Sequence, residues 1–156
     1  MAEPNIVLTR IDNRLIHGQI IGQWTTTIGA NLILVADDLV VNQDLERNLM
    51  QMAVEAMGLQ VRFFTVAKTI EIIHKATPNQ HIFIICRTPN EVVRLIKGGV
   101  PISKVNIGNM HVSQGKRSIG KKVYVDDEDV KDLDYIKSKV EDVFIQDTPS
   151  NSKEKL

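Results

Sequence analysis

With one cysteine in 156 residues, the chain cannot build an internal disulfide framework. Cys86 itself ends the apolar run His81-Ile82-Phe83-Ile84-Ile85-Cys86, a setting in which a thiol is buried and inert. An excess of either charge is also missing: 19 Lys and Arg balance 19 Asp and Glu. No global field therefore draws in nucleic acid or an anionic membrane, and any basic site has to be local. No run approaches the roughly 20 apolar residues needed to cross a bilayer. Met1 to Pro4 lead into the first apolar run without the basic flank or long apolar core of a targeting segment. These absences together predict a soluble, cytoplasmic protein. Neither a Gly-x-x-x-x-Gly-Lys-Ser/Thr loop nor a Gly-x-Gly-x-x-Gly turn occurs, which removes the usual nucleotide readings. His74 and His81 lie at no metal-ligating spacing from cysteine or carboxylate, and a zinc site on His17 and His111 lacks two further ligands. Neither a metal nor a cofactor is expected.

What the chain does have is a repeated pattern of short β-branched runs separated by stretches of helical periodicity. That pattern predicts an α/β domain with an open, mostly parallel sheet of about seven strands and helices on both faces. The strands are expected near 5–9, 31–36, 60–65, 81–86, 104–107, 121–125 and 142–146. Leu32-Ile33-Leu34-Val35 and Ile82 to Ile85 are continuously apolar, the mark of central strands covered on both faces. Helix punctuation is explicit. Thr88-Pro89 is a cap followed by proline at the first helical position, and Gly98-Gly99 closes that helix. Asn42, Thr65 and Asp126 are candidate caps for three more helices, the first of them ending at Gly58. Ile20, Ile21, Trp24 and Ile28 share one face of a helix that Gly29 terminates. Residues 1–147 are expected to form a single domain, and the polar stretch 148–156, broken by Pro149, a frayed and flexible tail.

The chemistry concentrates in Arg10-Ile11-Asp12-Asn13-Arg14-Leu15-Ile16-His17-Gly18-Gln19, directly after the apolar run Ile6-Val7-Leu8. Two arginines, a carboxylate and a histidine thus leave the end of a strand, where open α/β sheets keep their reactive groups. Phosphoryl transfer needs in-line positioning and stabilisation of charge on the equatorial oxygens. His17 can accept the group as a neutral imidazole. Arg10 and Arg14 disfavour the protonated ring beforehand and bind the phosphoryl oxygens afterwards. Asp12 is assigned an orienting role, against the other ring nitrogen or an arginine. Gly18 permits unusual backbone angles, and the amides of Gly18 and Gln19 open the next helix as an anion site. Residue types alone favour a blander alternative: a solvated ion-pair cluster beside a packed or exposed histidine.

The pattern Arg-x-Asp-x-Arg-Leu-x-His-Gly-Gln after the first strand resembles the signature of the IIB components in the mannose, fructose and sorbose family of the bacterial sugar phosphotransferase system. Arg62-Phe63-Phe64-Thr65, Cys86-Arg87-Thr88-Pro89, Val105-Asn106-Ile107-Gly108-Asn109-Met110-His111 and Val123-Tyr124-Val125-Asp126 extend the likeness over residues 5–147. Ile28-Gly29-Ala30-Asn31, the 106–111 run and Phe144-Ile145-Gln146-Asp147 are most similar to the N-acetylgalactosamine or galactosamine branch. One departure stands out: Gly108-Asn109 occupies the place of a Gly-Gly pair found in many members. The resemblance implies a cytoplasmic phosphotransferase that takes phosphate from the histidine of a IIA partner onto Nδ1 of His17. It then passes the group to a sugar carried by membrane IIC and IID components. Other IIB families use cysteine, so the resemblance also sets Cys86 aside as nucleophile.

Thr65, Asn109 and His111 are supporting candidates. The 108–120 loop can approach the phosphoryl group from a second side or serve as a plain solvated connection, and Thr65 is better read as a helix cap. Two rival functions remain open from sequence: a phospho-ligand-binding regulatory module, and an acid/base enzyme with His17 as base and Asp12 behind it. Homo-oligomerisation is left open as well.

Overall fold

Asn5–Asp12 form the first strand, β1, and the chain then alternates helix and strand. The order is α1 (Gly18–Ile28), β2 (Leu32–Ala36), α2 (Asp44–Ala56), β3 (Gln60–Phe64), α3 (Val66–Ile72), β4 (His81–Cys86), α4 (Pro89–Lys97) and β5 (Lys104–Asn109). There follow β6 (Arg117–Gly120), β7 (Val123–Val125), α5 (Asp127–Lys139), β8 (Asp142–Ile145) and β9 (Glu154–Lys155). This computed structural model describes residues 3–156. Met1 and Ala2, on which the expected domain start and the reading of the N-terminus partly fall, lie outside the described residues.

The main sheet has the order β3-β2-β4-β1-β5-β8-β9, parallel except for the last pairing. Two apolar layers sandwich it. On one face Ile21 and Trp24 of α1 and Val54 of α2 pack against Leu8, Ile33, Val35, Phe83 and Ile85. On the other, Val66 of α3, Val92 and Leu95 of α4, and Leu133 and Ile136 of α5 cover Leu34, Ile84, Val105 and Ile107. β2 and β4 are buried along their lengths apart from half-exposed His81, as their unbroken apolar runs require.

The strand order sets where a ligand can sit. The chain leaves β1 and β2 toward the β3 edge, and leaves β4 and β5 toward the β8 edge. Connections therefore diverge between β1 and β5, and again between β2 and β4, opening two crevices at the carboxyl ends of the strands.

Several expectations need correction. β1 runs on to Asp12, so Arg10 and Asp12 belong to the strand and not to the loop. Residues 121–125 do not join the main sheet: Val123–Val125 pair antiparallel with β6 in a separate hairpin, joined to the end of β5 through a Met110–Val123 bridge. The seventh strand comes instead from the segment expected to fray. The chain turns at Thr148–Asn151, where the Asn151 side chain accepts from the Thr148 amide at 3.0 Å, and β9 returns beside β8. Asn42 caps nothing; it ends a short 3₁₀ turn, Val40–Asn42, and α2 starts after Gln43 without a side-chain cap. Thr65, Thr88 and Asp126 do cap, accepting from the amides of Lys68, Glu91 and Asp129.

Candidate functional site

Alternation along β1 puts Leu8, Arg10 and Asp12 on the face that α1 covers. Arg10 is consequently wholly buried, a long cation beneath the crevice between β1 and β5. Its guanidinium donates to Asn106 Oδ1 at 2.6 Å, to the Gln146 carbonyl at 3.2 Å and to Asp12 Oδ2 at 3.1 Å, with Asp147 at 3.5 Å. The Trp24 ring centroid lies 5.6 Å from its central carbon. Gly108 makes this possible, because a Cβ there would collide with the guanidinium. Burial pulls the Arg10 pKa down, and Asp12 opposes the shift. With no accessible surface, Arg10 sits beneath the loop against Asp12 and Asn106, while the part of the arginine pair that reaches solvent is Arg14.

Asp12 links Arg10 to the loop above. Its Oδ1 accepts from the Arg14 amide at 2.9 Å and from Arg14 Nε at 3.0 Å, while Oδ2 accepts from Arg14 Nη2 at 2.9 Å. The fork is bidentate and raises the Arg14 pKa through that hydrogen bonding. Asp12 is thus engaged by the two arginines and makes no hydrogen bond with the imidazole of His17, the contact that a general-base dyad would use. Arg14 keeps 27% of its side chain exposed.

The loop is built to expose polar groups while anchoring apolar ones. Leu15 and Ile16 are buried in the α1-side core, and the Leu15 amide closes a turn onto the Asp12 carbonyl at 2.9 Å. Leu15 has φ of 60°, a left-handed conformation costing on the order of 1–2 kcal/mol for such a residue, and its burial holds it there. His17, Gly18 and Gln19 are turned out to solvent. His17 is the N-cap residue of α1, yet its side chain caps no amide and no acidic residue occupies the first turn. Gly18, at φ of 48°, starts the helix in a conformation other residues resist. The first amides of α1 are therefore left beside the imidazole without a side-chain acceptor.

Both flanks brace the loop. The Asn13 amide donates to the Asn109 carbonyl at 3.1 Å, the Asn109 side-chain amide meets Asn13 Oδ1, and Arg87 Nη1 reaches the Asn13 carbonyl at 3.5 Å. Asn109 is thereby brought to the site, as a brace. His111 is exposed and follows the Met110 bridge, joining none of these bonds. Thr65 is not brought there: its hydroxyl is committed to Lys68, and β3 stands three strands from β1, roughly 14 Å away at sheet spacing.

Asp147, Lys122, Gln146, Asn106 and Trp24 were not singled out as site residues from sequence. Asp147 accepts from Lys122 Nζ at 2.7 Å and lies 3.5 Å from both arginines, while its carbonyl accepts from Trp24 Nε1 at 2.9 Å. Burial pushes the Asp147 carboxyl up, but Lys122, Arg10 and Arg14 outweigh it and hold the carboxyl below the ordinary range. The available signal was positional, since Asp147 lies two residues past the end of β8, the last strand of the parallel set. Cys86 lies fully buried at the end of β4, and burial pushes its thiol well up, as an inert cysteine requires.

The fold that carries this site is shared with known proteins. The family model for the phosphotransferase-system sorbose subfamily IIB component matches residues 6–156. The chain belongs to that family. It is 54% identical over 156 residues to the N-acetylgalactosamine-specific phosphotransferase enzyme IIB component 1 of Escherichia coli (strain K12), covering 100% of this chain and 99% of that one. The crystal structure of N-acetylgalactosamine-specific IIB component 1 from Escherichia coli superposes with a TM-score of 0.94 at 55% identity, covering 97% and 99% of the two chains. An N-acetylgalactosamine IIB component from Streptococcus pyogenes gives 0.89 at 35% identity, covering 100% and 96%. The chain is thus a sugar-system IIB component of a phosphotransferase family. Among its described residues no helix is long and apolar enough to cross a membrane.

Proposed function

We propose that this IIB component relays a phosphoryl group through Nδ1 of His17. The donor is the phosphohistidine of a IIA protein: a bond forms from His17 Nδ1 to phosphorus as the donor's N–P bond breaks. In the second step a sugar hydroxyl attacks, the P–O bond forms, the His17 N–P bond breaks and the hydroxyl proton is released. The sugar, N-acetylgalactosamine or galactosamine, is presented by membrane IIC and IID components, which hold the protein transiently at the inner face of the membrane.

One observation carries this reading. An exposed imidazole stands at an uncapped helix N-terminus, three residues beyond an arginine locked in place by a buried carboxylate. Arg14 and the amides of Gly18 and Gln19 receive the equatorial oxygens, while Arg10 and Asp12 fix Arg14 without touching the group. Since IIA and the membrane partner must reach the same nitrogen in turn, each docking is brief and modest in area. The phospholigand-module rival would also exploit Arg14 and the helix amides, but gives no role to an imidazole held free of all of them.

The test is a chase. Protein loaded with labelled phosphate is mixed with membranes containing the IIC and IID components and N-acetylgalactosamine, galactosamine or mannose. Labelled N-acetylgalactosamine or galactosamine phosphate, with stoichiometric loss from the protein, is expected. Retention of the label with every sugar overturns the relay, and transfer to mannose alone overturns the sugar assignment.

A further inference from the structure

α3 is a single short helix of seven residues that passes into a 3₁₀ turn, Ile73–Lys75. It leaves part of the sheet near the β3 edge under an open groove of about 400 Å³, within the range of small-molecule sites. The floor is apolar, with Leu34, Phe64, Ile72 and Ile82 among its lining residues. The rim carries Arg62, Lys68 and Lys75. Lys68 has a carboxylate close by, Glu71 at 3.8 Å. Among the described residues neither Arg62 nor Lys75 has a carboxylate within salt-bridge distance; Arg62 spends one donor on the Val61 carbonyl at 2.9 Å. Gln80, also at the rim, accepts from the Thr77 amide through Oε1 and keeps its side-chain amide donors.

We propose that this groove binds a small organic anion, a medium-chain alkyl or aromatic body carrying one carboxylate or phosphate. The apolar floor removes the body from water, and the uncompensated cations select a negative head over a neutral one. A solvated basic rim around a polar floor would not discriminate in this way. The groove lies on the α3 face of β2, β3 and β4, whereas His17 leads into α1 on the opposite face. Occupancy therefore leaves the loop of His17 open.

The full-length protein is titrated with 1-anilinonaphthalene-8-sulfonate, an anion with an aromatic body, and the dye is displaced by decanoate or decyl phosphate below their micelle concentrations. Backbone amide NMR shifts locate the ligand. Displacement by both anions, shifts concentrated in residues 62–82, and about tenfold or greater weakening in Arg62→Gln/Lys75→Gln are expected. Both side chains are exposed, so the double variant keeps the wild-type circular dichroism and melting temperature. Ala76→Leu, which fills the groove without altering charge, weakens binding as well. Decanol competing as well as decanoate overturns the proposal, as does unchanged affinity in the double variant. Shifts on the exposed Leu45, Leu49 and Met52 of α2 instead, or recruitment by anionic vesicles with no response to monomeric decanoate, would overturn it equally.

Discussion

Two charged clusters stand at the carboxyl edge of the sheet, one in each crevice, and they are built in opposite senses. Between β1 and β5, Arg10, Arg14 and Lys122 face Asp12 and Asp147, three cations against two carboxylates. Between β2 and β4, Asp37, Asp38 and Glu91 face Arg87 and Arg94, three carboxyls against two cations. The second cluster relieves its excess by keeping a proton. Burial first, and then Asp37, push the Glu91 carboxyl up to about 8, while hydrogen bonds from Glu91, Arg87 and Val40 outweigh burial and lower that of Asp37. The first cluster has no such internal remedy, and Arg14 carries its positive charge into the loop that exposes His17. Two crevices of one sheet thus hold clusters of opposite net charge, one that offsets its excess internally and one left with a cation in surplus.

Removing Asp12 breaks the comparison hardest. Asp12→Ala leaves Arg10 buried without its carboxylate and frees Arg14, at a cost of about 3–5 kcal/mol. In a chain of this size that lowers the melting temperature by roughly 10 °C, measurable by calorimetry. Gly108→Ala attacks the same cluster sterically by driving a methyl group into the Arg10 guanidinium, and urea unfolding should register a loss of about 1–3 kcal/mol.

Glu91→Gln sharpens the contrast through pH. The folded pKa, about 8, stands above the ordinary 4.5, so between those values the folded chain holds a proton that the unfolded chain has released. This group's contribution to stability therefore falls as pH rises through that window, by at most about 1.4 kcal/mol per pH unit, and is flat above it. Urea unfolding from pH 5 to 8.5 should show a stability decline in wild type that is shallower in Glu91→Gln; parallel curves would refute the shared proton. The smallest effect belongs to Lys122→Gln. The lysine is 47% exposed, and its bond to Asp147 is worth less than about 1 kcal/mol by double-mutant cycle.

Much of the fold was legible because it rests on local signals. The apolar runs of β2 and β4, Thr88-Pro89, and Asp126 at the head of α5 act within a few residues of themselves. The loop from Asn13 to Gln19 was legible as a motif, though not its mechanics. Leu15 and Ile16 received no role from sequence, yet they are the buried anchors beside which His17 is turned outward. The failures are those of distance and competition. Arg10 contacts Asn106 and Gln146 through strand order, which local spacing does not encode. Asn42 lost the cap position because a 3₁₀ turn claimed it first. The tail looked unable to bury anything, but the open edge of β8 supplied backbone partners.

The most direct measurement is intact-protein and peptide mass spectrometry at neutral to alkaline pH, after incubation with phosphoenolpyruvate, enzyme I, HPr and a IIA protein already shown to carry phosphate. His17→Ala, which alters an exposed side chain and should leave the melting temperature unchanged, is run beside wild type. The account predicts one acid-labile phosphate on His17 in wild type and none on the variant. Phosphate on another residue, or equal labelling of His17→Ala, would contradict it.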